Sequence, residues 1–370
     1  MSYDPELRIH TPLAAKLEQR IRREGPITVA AYMQACLHDP EHGYYVGQPA
    51  IGGAGDFITA PEISQVFGEL IGLWCVVAWQ QMGAPPAVRL VELGPGRGTL
   101  MRDGLRAAKL VPAFLAAVRV DLVETNMVLT AAQRTLLHGA GVPLAWRNEL
   151  DPASLDGPCL VVANEFLDAF PVSQSVLRQG TWRSRVVTLD RAGALAFAVN
   201  EHSGIAGEGG FPRARCGDIA EARSELPLLQ GLHEMSRRSP LAALFVDYGH
   251  LQSSLGDTLQ GVRNHRFEHP LTAPGEADLT TQVDFQQFGE NARACGFAVD
   301  GPVTQAEFLG ALGIVPRASR LMAANPRIAH EIEAGVARLL SPTGMGTRFK
   351  AIGIRSRLLP PLPGFPVTAG

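Results

Sequence analysis

The stretch Val88-Arg-Leu-Val-Glu-Leu-Gly-Pro-Gly-Arg-Gly-Thr-Leu100 carries the strongest fold signal in this sequence. Its apolar part, 88–93, predicts a buried strand, and its glycine-rich part predicts a tight turn followed by a helix from Thr99. Glycine lets the backbone turn sharply and approach a ligand without a Cβ in the way. The first amides of the following helix then face an anionic group. A turn of this kind that binds no ligand is the alternative.

Three details favour a ligand site. The glycines Gly94, Gly96 and Gly98 follow a G-x-G-x-G spacing rather than the G-x-G-x-x-G typical of dinucleotide folds. Glu92 lies on the strand before them, and Glu124 ends the next apolar run, where it could accept hydrogen bonds from both hydroxyls of a ribose. Together these residues predict a site for S-adenosylmethionine, whose methionine end offers a carboxylate to the turn and an ammonium to an acid. NAD is the alternative, which the glycine spacing disfavours.

The composition excludes several function classes. The chain has 370 residues, of which 46% are hydrophobic and 19% charged, as in soluble globular proteins. Its net charge of −3, without long basic runs, argues against a nucleic-acid partner. No apolar segment reaches the roughly 18–20 residues of a membrane span. The oligomeric state is not predicted.

The cysteines and the first residues predict a compartment. Five scattered cysteines, with no C-x-x-C pair, indicate free thiols in a reducing environment and disfavour zinc. The start of the sequence, Met1-Ser-Tyr-Asp-Pro-Glu6, does not show the pattern of a signal or transit peptide. We therefore expect a cytoplasmic protein with no metal site.

The order of apolar runs predicts an α/β fold. Helical patterns precede the first strand, and strands at 88–93, 118–123, 142–146, 159–163 and 242–247 then alternate with helices, which predicts a parallel sheet covered on both faces. Between 172 and 200, alternating β-branched residues predict inserted antiparallel strands, and 201–218 has the composition of a loop. Helices at about 283–295, 304–312 and 317–340 precede a last strand at about 347–354.

Three polar side chains, Asn164, Glu165 and Asp168, follow the predicted strand 159–163. Ligands of open α/β sheets bind at the carboxyl ends of the strands. If a helix follows, the two carboxylates lie one turn apart on one face and could hold a guanidinium. Alternatively, Asn164 caps a helix whose first turn is acidic because of the helix dipole.

Other motifs give weaker signals. In Gly55-Asp-Phe-Ile-Thr-Ala-Pro-Glu-Ile-Ser64, Thr59 and Glu62 fit a capping box, while Asp56 is not needed for the cap and is a candidate cofactor-binding residue. His250 follows another core strand and could act as a base, although a lone histidine is usually an ordinary polar residue. The two histidines in 264–269 lie in a proline-flanked loop, which disfavours metal binding.

Taken together, the motifs resemble the MidA family, which comprises mitochondrial complex I assembly protein-arginine methyltransferases and their bacterial relatives. The resemblance is carried, in order, by His42-Gly-Tyr-Tyr45, Gly55–Ser64, Val91–Leu100, Ala163-Asn-Glu-Phe-Leu-Asp168, Val246-Asp-Tyr-Gly249, Gly275–Phe285 and Gln305-Ala-Glu-Phe-Leu309. The resemblance implies a seven-stranded class I methyltransferase sheet of Rossmann-like form, with a helical N-terminal region and inserted β/α segments. It also implies methylation of an arginine on a complex I subunit. The sequence departs from the family at Gly261-Val-Arg-Asn264, where a more aromatic stretch is expected.

On this basis we expect a helical region at 1–85, a methyltransferase domain at 86–355 with insertions at about 172–240 and 298–340, and a tail at 356–370. The expected catalytic residues are Asn164, Glu165 and Asp168. The expected cofactor-binding residues are Glu92, Gly94, Gly96, Gly98, Glu124 and Asp56. The alternatives are an S-adenosylmethionine-binding assembly factor in which turnover is not essential, and a methyltransferase for small molecules.

Overall fold

The computed structural model describes residues 4, 6–47, 59–205, 211 and 213–366. In chain order, its helices are α1 (Pro12–Glu24), α2 (Val29–His38), α3 (Tyr44–Gly47), α4 (Ala60–Ile63), α5 (Gln65–Gln81), α6 (Thr99–Ala108), α7 (Pro112–Ala117), α8 (Met127–Leu136), α9 (Leu226–Arg238), α10 (Phe285–Ala294), α11 (Gln305–Ala311), α12 (Ile314–Ala324) and α13 (Ala329–Leu340). Short 3₁₀ turns lie at Pro152–Ser154 and Pro326–Ile328.

The strands, also in chain order, are β1 (Ile27–Thr28), β2 (Val88–Leu93), β3 (Val118–Val123), β4 (Leu144–Arg147), β5 (Cys159–Asn164), β6 (Val172–Arg178), β7 (Thr181–Leu189), β8 (Leu195–Ile205), β9 (Ile219–Arg223), β10 (Leu241–His250), β11 (Gln260–Arg263), β12 (Arg266–Glu268), β13 (Asp278–Thr280), β14 (Val283–Asp284), β15 (Ala298–Thr304) and β16 (Phe349–Arg355).

These elements belong to two units. The described parts of Met1–Phe57, Asp168–Glu225 and Ser253–Gln282 form the first, and those of Ile58–Leu167, Leu226–Gln252 and Val283–Gly370 form the second. No helix in the described parts of the chain is long and apolar enough to cross a membrane.

The second unit contains a mixed sheet in the order β15-β16-β10-β5-β2-β3-β4, with β14 paired to β10. The strands from β10 to β4 are parallel, and β16 runs antiparallel to both β10 and β15. One antiparallel strand inserted beside an otherwise parallel sheet is the seven-stranded arrangement that the resemblance implies. The predicted fold class is confirmed.

Helices α5 and α6 cover this sheet because their apolar faces and small residues allow close packing. Phe67 and Trp74 of α5 are fully buried in the core of the second unit. A Cβ on Gly72 of α5 would lie 2.4 Å from the Cα of Gly104 in α6, so glycines permit the two helix backbones to approach closely. The glycine-rich turn connects the end of β2 to the start of α6 and therefore lies at the carboxyl end of the sheet.

The first unit is built from antiparallel strands and the N-terminal helices. Its five-stranded sheet has the order β1-β7-β6-β9 with β8 paired to β7, and β12-β11-β13 form a second sheet. The antiparallel strands predicted between 172 and 200 are present, and the turns at Gly180 and Gly193 have φ values of 77° and 86°. Thr11 caps helix α1, since its side chain accepts a hydrogen bond from the Ala14 amide. The helix buries its apolar face in the core of this unit.

Two local predictions were wrong. The loop predicted at 201–218 begins later, because β8 continues to Ile205. The helix predicted at 317–340 is two helices, since Pro326 cannot continue α12. The sequence analysis also did not predict β15, whose Pro302 is tolerated because β15 is an edge strand of the sheet.

The division between the units also differs from the linear division expected from sequence. Helices α4 and α5, expected in an N-terminal region at 1–85, belong to the unit of the main sheet. The first unit instead gathers three separate stretches of chain. The physical reason is that α5 buries its apolar residues in the core that also contains the strands β2, β3 and β5.

Candidate functional site

The glycine-rich turn has the conformation that its sequence predicts. Gly94, Gly96 and Gly98 have φ values of 63°, 54° and 84°, in the left-handed region that favours glycine. A Cβ on Gly94 would lie 2.9 Å from the Cδ2 of Phe166. The turn therefore requires glycine for its backbone conformation and, at Gly94, for its close approach to the segment that follows β5. Helix α6 begins at its end, and because its N-cap is Gly98, no side chain of that residue caps the first amides of the helix.

Glu92 lies on β2, between β3 and β5, and is only 3% exposed. Its Oε2 atom is buried and has no hydrogen-bond partner among the described residues. Burial, together with the nearby Glu124 carboxylate, raises the pKa of Glu92 to about 8. A buried acceptor without a partner is costly, and a ligand that donates a hydrogen bond would remove that cost.

Glu124 follows β3 and lies beside the turn, because Val123 pairs with Leu93 and its carbonyl accepts a 3.1 Å hydrogen bond from the Gly94 amide. Its Oε1 accepts a 2.9 Å hydrogen bond from the Asn126 amide. Burial raises the pKa of Glu124 to about 7, although hydrogen bonds to its carboxylate oppose the shift. The structure thus brings the two predicted acids, Glu92 and Glu124, together with the glycine turn.

The segment after β5 is not a helix. Glu165 has a φ of 52°, and 165–171 consists of bends and turns. Both earlier interpretations, a helix that aligns Glu165 with Asp168 and a helix capped by Asn164, are therefore wrong in their structural premise. A left-handed residue directly after the strand prevents the helix from starting there.

Asp247, near the carboxyl end of β10, instead holds this segment in place through hydrogen bonds. Its Oδ2 accepts hydrogen bonds from the amides of Phe166, at 3.0 Å, and Leu167, at 2.8 Å, while its Oδ1 accepts from the Tyr248 amide. Asp247 is 1% exposed. Because it comes from the neighbouring parallel strand, its role as an anchor could not be inferred from local sequence.

Asn164 and Glu165 are held at the carboxyl end of β5. The Oε1 of Glu165 accepts hydrogen bonds from the Asn164 Nδ2 and from the Ala60 amide, each at 3.1 Å. The Oδ1 of Asn164 is buried and has no partner among the described residues. Like Glu92 on the adjacent strand β2, Asn164 therefore presents an unsatisfied acceptor that fits a ligand donor.

Asp168 belongs to the first unit, whereas Asn164 and Glu165 belong to the second. Its carbonyl accepts a 3.0 Å hydrogen bond from the Thr281 amide, and the residue is 7% exposed. Asp168 also contributes to the environment of Tyr45, since burial and then the charges of Asp278 and Asp168 raise the pKa of that phenol. The phenol donates a 3.0 Å hydrogen bond to the Oδ1 of Asp278.

Sequence reasoning misassigned Glu62. In the described chain, the Thr59 side chain makes no capping hydrogen bond, so the capping-box interpretation is wrong. The Glu62 carboxylate instead accepts a hydrogen bond from the Thr99 hydroxyl, at the start of α6, and its Oε2 lies 3.9 Å from the Nη1 of Arg97. Glu62 is therefore attached to the glycine turn. Asp56 lies outside the described residues.

His250, which the sequence offers as a possible base or as an ordinary polar residue, lies close to an acid. Its Nε2 lies 3.7 Å from the Oδ2 of Asp284, which caps α10 by accepting a hydrogen bond from the Gln287 amide. The contact ties the end of β10 to the start of α10 and gives His250 a structural role.

The arrangement fits S-adenosylmethionine. The turn leaves no room for a Cβ at Gly94, Glu92 holds an unsatisfied acceptor for an ammonium, and Glu124 offers a carboxylate for ribose hydroxyls. With the strand order of the main sheet, this site defines the class of S-adenosylmethionine-dependent methyltransferases.

Comparison with known proteins gives the particular family. Residues 70–303 match a family described as "Putative S-adenosyl-L-methionine-dependent methyltransferase", and the chain belongs to this family. It is 33% identical to a Danio rerio protein named protein arginine methyltransferase NDUFAF7, mitochondrial, over 94% of this chain and 87% of that protein. The Mus musculus protein of the same name is 36% identical over 92% of this chain and 83% of its own length.

A solved structure from Burkholderia thailandensis, bound to S-adenosyl-homocysteine, has the same overall architecture. It superposes with a TM-score of 0.83 and 27% sequence identity, and 97% of each chain is covered. The chain described here is thus an S-adenosylmethionine-dependent methyltransferase, as the resemblance implied.

Proposed function

We propose that this methyltransferase acts on a protein, with an arginine guanidinium as the methyl acceptor. The observation that carries the proposal is the pair of unsatisfied buried acceptors, Glu92 Oε2 on β2 and Asn164 Oδ1 on β5. The two strands are adjacent, and Phe166, after β5, lies close to the glycine turn. The acid proposed to bind the cofactor and the amide proposed to bind the acceptor therefore both lie toward the carboxyl ends of neighbouring strands. The name of the related Danio rerio and Mus musculus proteins, protein arginine methyltransferase, supports arginine as the acceptor.

When bound, the cofactor would supply a methyl group on a sulfonium: the C–S bond breaks as the N–C bond forms, S-adenosyl-homocysteine leaves, and the methylated nitrogen releases one proton. Glu92 binds the ammonium of its methionine end, and Glu124 binds the ribose hydroxyls through charge-assisted hydrogen bonds. The glycine turn and the amides of α6 bind the carboxylate. The proposed cofactor residues are Glu92, Gly94, Gly96, Gly98, Glu124 and, in the stretch outside the described residues, Asp56.

The chain's contribution to the transfer is mainly positioning. Glu165 pairs with the guanidinium of the acceptor and turns one nitrogen toward the methyl group, because a carboxylate matches the planar fork of the guanidinium. The Oδ1 of Asn164 accepts a second N–H of the same group. The hydrogen bonds from Asn164 and Ala60 to Glu165 keep the carboxylate fixed before the acceptor binds. Asp168 is proposed as a further carboxylate for the acceptor.

The family resemblance supports the proposed acceptor protein, and the cysteines support the proposed compartment. We propose a subunit of respiratory complex I as the substrate and the bacterial cytoplasm as the place of action. All five cysteines are free thiols, and three of them are buried, which supports a reducing compartment. The related Burkholderia thailandensis structure supports a bacterial setting.

The test uses cells that lack the gene and are complemented with the parent chain, with Glu165→Gln or with Glu333→Gln, an exposed control on α13. Mass spectrometry of purified complex I should find a methylarginine with the parent and with Glu333→Gln. We expect Glu165→Gln to lose the modification, because an amide cannot pair with a guanidinium through charge. The affinity of purified Glu165→Gln for S-adenosyl-homocysteine should stay within about twofold of the parent, which corresponds to less free energy than one hydrogen bond contributes.

The outcomes separate the alternatives. Normal methylation by a variant carrying both Glu165→Gln and Asp168→Asn would refute the proposal that these carboxylates bind the guanidinium of the acceptor. If the parent binds S-adenosyl-homocysteine but no arginine depends on the gene for methylation, the assembly-factor alternative becomes the better explanation. Methylation of a free small molecule by the parent would favour a methyltransferase for small molecules.

A further inference from the structure

Gln133, on α8, is a fully buried polar residue whose side chain joins three parts of the cofactor site. Its Nε2 donates a 2.6 Å hydrogen bond to the carbonyl of Gly96 and lies 3.4 Å from the Oε2 of Glu124. Its Oε1 accepts a 3.0 Å hydrogen bond from the indole Nε1 of Trp146 on β4. The residue is 0% exposed. A single amide thus connects the glycine turn, the end of β3 and the edge strand β4.

The neighbours of Gln133 permit only one orientation of its amide. The indole nitrogen of Trp146 is a donor only, while the Gly96 carbonyl and an ionised Glu124 are acceptors only. Rotation of the amide by 180° would direct an N–H at the indole N–H and an oxygen at the two acceptors. Trp146 therefore fixes the amide so that both of its N–H groups face the turn and the acid.

Gln133 also packs against the turn sterically. A Cβ on Gly98 would lie 3.3 Å from the Cγ of Gln133, and Gly98 has a φ of 84°. The left-handed turn and the Gln133 side chain therefore fill adjacent space. The side chain supports the turn from the side of α8, opposite to the contact that Phe166 makes at Gly94.

We propose that Gln133 is a positioning residue that holds the Gly96 carbonyl and the Glu124 carboxylate in their cofactor-binding arrangement before the cofactor arrives. The proposal rests on the proposed cofactor-binding roles of the glycine turn and Glu124. Gln133 itself acts through these groups. In its absence the turn and the acid must be ordered when the cofactor binds, and the cost of ordering reduces affinity.

The ionisation of Glu124 makes the proposed role of Gln133 measurable, because a change at Gln133 should alter how cofactor binding depends on pH. The groups that face its carboxylate are the amides of Thr125 and Asn126, Gln133 from α8 and, from β2, the acid Glu92. The Gln133 amide favours the ionised carboxylate and lowers the pKa of Glu124. A carboxylate in place of the amide would repel both Glu124 and the Gly96 carbonyl, and the repulsion would grow as pH rises.

The test measures the affinity of the full chain for S-adenosyl-homocysteine by calorimetry between pH 5 and pH 8, together with the thermal stability of the ligand-free protein. The variants are Gln133→Met, which keeps size but removes the hydrogen bonds, and Gln133→Glu. Gln305→Met is the matched control, because Gln305 is also fully buried in the same unit and donates a 2.9 Å hydrogen bond to the Leu339 carbonyl on α13.

We expect Gln133→Met to weaken binding by about 10- to 100-fold, the range for a lost hydrogen bond to a charged group plus the ordering of the turn. The loss for Gln133→Glu should increase with pH. Gln305→Met should lose thermal stability and keep the parent's affinity. Trp146→Phe, which leaves Gln133 in place but frees its amide to rotate, should weaken binding by about 2- to 10-fold and serves if Gln133→Met does not fold.

The proposal is overturned if Gln133→Met, or Trp146→Phe where Gln133→Met does not fold, binds within twofold of the parent. It is also overturned if the affinity of Gln133→Glu shows the same pH profile as that of the parent. A failure of the underlying cofactor site is recognised separately, since Glu124→Ala would then also bind like the parent.

Discussion

The buried acid Glu92 makes the stability of the ligand-free protein depend on pH in a specific direction. Its pKa is raised from an ordinary 4.5 to about 8 in the folded chain, by burial and by Glu124. Between these values the unfolded chain releases a proton that the folded chain retains. The contribution of Glu92 to the free energy of unfolding is therefore complete below pH 4.5 and is lost as pH rises toward 8. The loss is about 1.4 kcal/mol per pH unit.

The substitution Glu92→Gln keeps the shape of the side chain and removes its titration. The free energy of unfolding should then fall less steeply between pH 5 and pH 8, by about 1.4 kcal/mol per pH unit relative to the parent. Summed over this window, the difference is on the order of several kcal/mol, a large part of the stability of an ordinary domain. Glu124, with a pKa of about 7, adds a slope of the same sign that remains in the variant.

Urea unfolding of the ligand-free protein at half-unit pH steps measures this slope. Glu333→Gln, at an exposed position on α13, is the control and should leave the slope of the parent unchanged. We compare the slopes of the free energy of unfolding against pH, because any effect of the new amide on packing is the same at every pH and does not change the slope. Parallel curves for the parent and Glu92→Gln would contradict this prediction, because Glu92 would then not titrate in this window.

The ligand gives a second readout for the same variant. If Glu92 binds an ammonium, binding of S-adenosyl-homocysteine requires its ionised form and releases a proton below about pH 8. Calorimetry in buffers of different ionisation enthalpy should detect this release in the parent and find it reduced in Glu92→Gln. The variant should also bind at least about tenfold more weakly, as expected for a lost hydrogen bond to a charged group.

Four further predictions concern the site and the compartment. Gly94→Val should abolish binding of S-adenosyl-homocysteine by calorimetry, because a β-branched residue at a φ of 63° is strained and its Cβ would lie 2.9 Å from Phe166. Glu124→Ala should weaken binding by about 2–3 kcal/mol, since two charge-assisted bonds to a ribose are lost; unchanged affinity would place the site elsewhere. Asp247→Asn should lower the free energy of unfolding by about 1–3 kcal/mol in urea, as one oxygen cannot replace two for three amide donors. Thiol titration of the denatured, unreduced protein should detect all five cysteines, and a stable disulfide would contradict the reducing compartment.

The elements that depend on local pattern could be predicted from the sequence. Strands β2 and β3 have the predicted bounds, because a short apolar run ended by glycine or an acid is a local signal. The same holds for the turn at Gly94–Gly98 and for Glu92, whose distance from the glycines is fixed by the strand–turn–helix unit. Glu124 was predicted from its place at the end of the next strand, and the pairing of β3 with β2 brings it beside the turn.

The prediction failed where residues act through contacts distant in sequence. Asn164 and Glu165 were identified as site residues, but the helix expected after them is absent because Asp247, 81 positions after Phe166, binds the amides of the segment. Glu62 fitted a local capping box, yet its carboxylate bonds to Thr99, 37 positions away. Local propensity is worth a few tenths of a kcal/mol per residue, and a buried hydrogen bond to a charged group exceeds it.

Local pattern was sufficient to predict the alternation of strands and helices, the glycine turn and Glu92 beside it, since periodicity, chain geometry and backbone freedom are properties of neighbouring residues. The packed fold alone decided that three separate stretches form the first unit, that α5 packs on the main sheet and that Glu124 lies beside the turn. It also decided that Gln133 connects the turn to Glu124. The position of α5 depends on which apolar faces share a core when distant parts of the chain pack together. The role of Gln133 depends on polar groups, because a buried polar group must find its partner wherever the fold places one.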